Sequence, residues 1–117
     1  MLLNKKGYLV KTLDFRGTSI EKLDKLNAHQ LFLIITNAQQ LVNLNSKRFK
    51  ATELAPTDWS KTVYQPILDA CAGDRALALR LFGVVIKQAL IMSPLLFSQE
   101  CEGDFVAATY IKETLKF

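Results

Sequence analysis

Apolar side chains cover almost the whole circumference of one stretch, Asp74 to Met92, which Ser93 and Pro94 close. Advancing about 100° per residue leaves Ala76, Arg80, Gly83 and Lys87 on one narrow stripe. Leu77, Leu79, Leu81, Phe82, Val84, Val85, Ile86, Leu90, Ile91 and Met92 fill the rest. A helix apolar on most sides must be wrapped by other elements, so the pattern predicts a central core helix over about residues 74–93. Asp74 suits the N-cap, and Pro94 cannot continue the hydrogen-bond ladder.

A second helix is predicted from Asn27 to about Leu44, where Leu31, Ile34, Ile35, Ala38, Leu41 and Val42 share one face and Asn27 with Gln30 forms a reciprocal cap. Its other face is free of charge and rich in amides, with Thr36, Asn37, Gln39, Gln40 and Asn43, and with Phe32 and Leu33 at its N-terminal border. Solvated helix faces usually carry Lys and Glu instead. Thr18-Ser19-Ile20-Glu21 has the spacing of a capping box and predicts a short helix through Leu26. Pro66 breaks any continuous run there, so a further helix over Ile67 to Ala72 is expected, with Pro66 in its first turn and Gly73 at its end. From Asp104 the pattern predicts a last helix, with Val106, Tyr110, Ile111 and Leu115 on a wide apolar arc.

Strand signals are confined to the start. Tyr8, Val10 and Thr12 alternate with Leu9 and Leu13, and Asn4 to Gly7 can turn Leu2-Leu3 back as a small hairpin; a loose arm over residues 1–17 is the alternative. The fold expected is therefore mainly α: one domain over residues 1–117, a compact bundle of four to six helices around the central one, with or without an N-terminal β-hairpin.

Composition narrows the class. Half of the residues are hydrophobic, which excludes a disordered chain. The net charge of +4 is uneven, because residues 1–56 hold nine Lys/Arg against four Asp/Glu while residues 94–117 are net acidic. No apolar run resembles a signal peptide, and Arg80 and Lys87 interrupt the most hydrophobic window, so a cytoplasmic protein with reduced Cys71 and Cys101 is expected, with no membrane partner.

Chemistry-bearing patterns are sparse. His29 is the sole histidine, no C-x-x-C pair occurs, and no nucleophile-elbow, zinc-protease or phosphate-loop motif is present. No catalytic, metal or cofactor residue is assigned, and Glu100, Glu102 and Asp104 read as a solvated loop. Three surfaces remain. The uncharged helix face, represented by Phe32, Leu33, Thr36, Gln40 and Asn43, suggests a non-enzymatic accessory protein that works by protein–protein contact, chiefly as a homodimer. Lys47, Arg48 and Lys50, with Arg80 and Lys87 roughly 10 Å apart along one stripe, suggest instead an anion-binding track for nucleic acid. Gln88 lies about 20° from Leu77 within the apolar arc, which suggests a polar anchor in a small-molecule pocket walled by Phe82, Met92 and Tyr64.

Overall fold

A computed structural model describes residues 1–11, 22–44, 48–101 and 109–113. Three α-helices lie wholly within them: α1, Ala28–Leu44; α2, Gln65–Ala70; and α3, Arg75–Met92. Five strands, β1 Leu2–Leu3, β2 Leu9–Val10, β3 Arg48–Lys50, β4 Phe97–Cys101 and β5 Thr109–Lys112, join in one sheet of order β2-β1-β4-β5-β3. The chain is thus an α/β fold, and the expected mainly α bundle of four to six helices is overturned.

The correction falls on three stretches, one of them Phe97–Cys101, a strand where Glu100 reads as part of a solvated loop. Ser46 to Lys50 reads as a basic run at a helix end, yet Arg48, Phe49 and Lys50 form a strand with only the middle residue buried. Asp104 onward reads as a helix, yet Thr109–Lys112 is a strand, with register Phe49↔Tyr110 to one neighbour and Gln99↔Tyr110 to the other. Each strand is too short to show its own period, and β3 finds its partner only some sixty positions further along the chain. The rest of the predicted last helix lies outside the described residues, as do Thr12 to Phe15 and most of the short helix from Thr18.

Phe49, Gln99 and Tyr110 form one buried register row. Phe97 meets Phe49 edge-on at 6.2 Å between centroids, and Tyr110 lies 5.9 Å from Phe49. These aromatics share one core with Ile34, Ala38 and Val42 of α1 and Leu81, Phe82, Ile86 and Leu90 of α3. Among the described residues no helix is long and apolar enough to cross a membrane.

The N-terminal hairpin forms as β1 and β2. Asn4 Oδ1 accepts the backbone N–H groups of Lys6 and Tyr8 at 2.9 and 3.0 Å, and Gly7 takes the left-handed φ of 86° that such a turn requires. β1 then runs parallel to β4, with Leu2↔Phe97 in register. The Met1 amino group donates to the carbonyls of Leu90 and Leu95 at 2.9 and 2.8 Å and also to that of Ser93. Those acceptors close the C-terminal end of α3, where donors are otherwise missing.

Candidate functional site

The local causes of α2 and α3 are legible side by side. Pro66 sits in the first turn of α2, where its missing N–H has no partner to lose. Cys71 to Asp74 make the corner: Ala72 and Gly73 take positive φ of 53° and 81°, and the Gly73 N–H donates to the Leu68 carbonyl at 3.0 Å. Asp74 then caps α3, accepting the Leu77 N–H at 3.2 Å. The two helices are joined through four residues containing a glycine, as in helix-turn-helix motifs, and they share one core with the antiparallel strands β3, β5 and β4.

Along α3 the environment changes abruptly. Arg75, Ala76 and Arg80 are exposed, whereas Leu81 through Ile86 are buried without a break. Phe82 is enclosed edge-on by Tyr64 at 5.0 Å and Trp59 at 6.0 Å. The helix therefore offers its N-terminal turns to solvent and commits the middle of its length to the core.

The predicted cations do not gather into one track. Arg80 is exposed on α3 and Lys87 is half-buried there, while Arg48 and Lys50 stand exposed on β3; Lys47 lies outside the described residues. Arg48 Nη2 also lies 2.7 Å from Glu100 Oε2, so a carboxylate offsets part of the charge on the sheet. Sequence reasoning passed over Arg75, which opens α3 beside the corner. Its position directly after a capping Asp and a Gly was the available signal.

On α1, Phe32 and Leu33 are 66% and 41% exposed. Gln40 is exposed as well, but Thr36 and Asn43 are half-buried. Asn43 Oδ1 accepts the Ser93 hydroxyl at 2.7 Å, and its carbonyl accepts Lys112 Nζ at 2.7 Å. Asn37 Oδ1 accepts the Tyr64 hydroxyl at 2.6 Å. Two of the amides thus serve the fold, and the open part of the face narrows to Phe32, Leu33 and Gln40.

Among the described residues, two cavities border α1. One, about 260 Å³, is lined by Leu23, Asp24, Leu31, Ile35, Val84, Val85 and Gln88. The other, about 420 Å³ and more open, includes Asn37, Leu41, Leu54, Lys61 and Tyr64. Lys61 holds a positive φ of 63°, a conformation that strains a residue with a Cβ. The four expected pocket residues are not brought together: Gln88 lines the first cavity and Tyr64 the second, Phe82 has no open surface, and Met92 is exposed at the end of α3. Leu31 and Ile35 supply the missing wall; sequence reasoning had placed both on the core face of their helix.

No family model, no curated protein and no solved structure matches this chain.

Proposed function

We propose that this chain binds double-stranded nucleic acid, with the N-terminal turns of α3 entering the major groove. The observation that carries the reading is the α2–corner–α3 unit that leaves Arg75, Ala76 and Arg80 exposed at the leading end of a long, otherwise enclosed helix. In helix-turn-helix docking the second helix contacts base edges through its N-terminal residues, and this helix is open at that end. The analogy is one of topology, supported by a net charge of +4 that draws the chain toward polyanions.

Fluorescence anisotropy with a mixed-sequence duplex, read at about 50 and 200 mM salt, tests it. Binding at low salt is expected, and the double variant R75A/R80A should weaken it and lower the salt slope by roughly two. Removing Lys5 and Lys6 in the hairpin should change little by comparison. Absence of binding at low salt would sink the reading.

A second reading, self-association, is favoured by the exposure of Phe32 and Leu33, since a large aromatic 66% open beside a leucine is a natural contact seed. It is compatible with the first, because helix-turn-helix proteins often act as dimers on paired half-sites. Light-scattering mass should give a dimer that Phe32→Ser together with Leu33→Ser converts to monomer; a wild-type monomer at tens of micromolar removes the idea.

A further inference from the structure

We infer that the cavity between α1 and α3 is a binding site for a small, neutral molecule with an apolar body and one carboxamide-like CO–NH group. Leu31 and Ile35 of α1 face Val84 and Val85 of α3 across it, and Leu23 closes one side. Val84 and Val85 are only 2% and 4% exposed, so these walls belong to the packed core. At the packing density of protein interiors, about 0.74, a space of about 260 Å³ holds on the order of ten non-hydrogen atoms. The ligand is therefore a fragment-sized molecule with a short alkyl chain or a single ring.

Gln88 sets its polar character. The side chain is half-buried in this apolar lining, and no described residue hydrogen-bonds its amide. An amide in such surroundings has two donors and an accepting oxygen to satisfy. A ligand carboxamide matches it at two points: Gln88 Nε2 donates to the ligand carbonyl, and Gln88 Oε1 accepts from the ligand N–H. Asp24, the only charged group among the described lining residues, is an acceptor that favours an N–H and repels a carboxylate or phosphate. Lys22 and Lys25 neighbour it in sequence but do not line the cavity. The site is independent of the nucleic-acid reading, because neither Arg75 nor Arg80 borders it.

Titration of the ¹⁵N-labelled full chain with hexanamide, and separately with hexanoate, tests the inference. Hexanamide should produce saturable shifts at the Gln88 side-chain amide and at the backbone amides of Leu31, Ile35 and Val84, with hexanoate roughly tenfold weaker or silent. Gln88→Leu preserves the apolar surroundings and should abolish the preference for the amide, and Ile35→Phe should block both probes by filling the space. Diffuse, unsaturable shifts in the wild-type protein would overturn the assignment without recourse to any variant. Equal affinity for the two probes, or undiminished hexanamide binding by Gln88→Leu, would overturn it as well.

Discussion

Two tyrosines occupy matching positions in the two halves of the core and meet different fates. Tyr64, on the helical side, packs against Phe82 and gives its hydroxyl proton to Asn37 at 2.6 Å. Tyr110, on the sheet, packs against Phe49, and its hydroxyl is buried with no hydrogen-bond partner among the described residues. Their burial is nearly equal, at 4% and 0% exposure, and in both burial pushes the phenol pKa up. What differs is the neighbour. An amide of α1 reaches Tyr64, whereas Tyr110 has the tilted ring of Phe49 beside it. The lesson is that the uncharged face of α1 is partly an internal device: its amides satisfy polar groups that the core would otherwise strand.

The sharpest way to break this comparison is at Phe82, the ring on which both Trp59 and Tyr64 rest. Phe82→Ala should destabilise the fold by about 3–5 kcal/mol, the range for a buried aromatic removed from a packed core, as read from urea denaturation midpoints. A loss near 1 kcal/mol would mean that the helical cluster is loosely packed. Next, Tyr64→Phe should cost about 1–2 kcal/mol, since it removes a hydrogen bond and leaves Asn37 without its donor. Tyr110→Phe should be neutral or stabilising by less than about 1 kcal/mol, because it deletes a desolvated hydroxyl that gains nothing in return. Equal losses at the two sites would erase the distinction drawn here.

The smallest effect is a pH dependence common to both. The unfolded chain releases phenol protons near pH 10, whereas the folded chain holds them to higher pH. The stability tied to these groups is therefore fully present below about pH 10 and falls as pH rises beyond it. Urea midpoints between about pH 9 and 11 should decline in the wild type and decline less in each Phe variant. A flat profile would indicate that both hydroxyls are better solvated than their surroundings imply.

The helices were legible because their determinants are local. Asp74 caps α3 as its position suggested, Asn27 and Gln30 exchange hydrogen bonds at 3.0 and 2.8 Å at the start of α1, and Pro66 stands in the first turn of α2. The hairpin turn was legible for the same reason. The C-terminal half of the sheet was not. Arg48-Phe49-Lys50 alternates as a strand does and Thr109-Tyr110-Ile111 is rich in strand formers, but β3 acquires meaning only from β5, some sixty positions away along the chain. A wheel drawn through residues 104–117 absorbed the strand Thr109–Lys112 into a broad helical arc. The site was legible in the same uneven way. Gln88 was singled out by its place in an apolar arc, but the walls of its cavity come from α1, and a helical projection of one segment cannot say what faces it. The corner at Gly73-Asp74 is legible as a tight joint between two packed helices, but Arg75 was passed over because which side chains that joint leaves exposed is not written in the sequence.

The parallel pairing of Leu2 with Phe97 carries a consequence for the order of events during synthesis. β1 leaves the ribosome with its hairpin mate but without the strand that will cover its other edge. β3 likewise waits for β5. During that interval α1, α2 and α3 emerge and can pack on one another, while the two sheet seams must wait for β4 and β5 and close over longer separations along the chain, and are slower for it. The emerging chain therefore carries two unpaired strand edges and an incomplete core beneath the sheet until β4 and β5 are made, and this is its most aggregation-prone period.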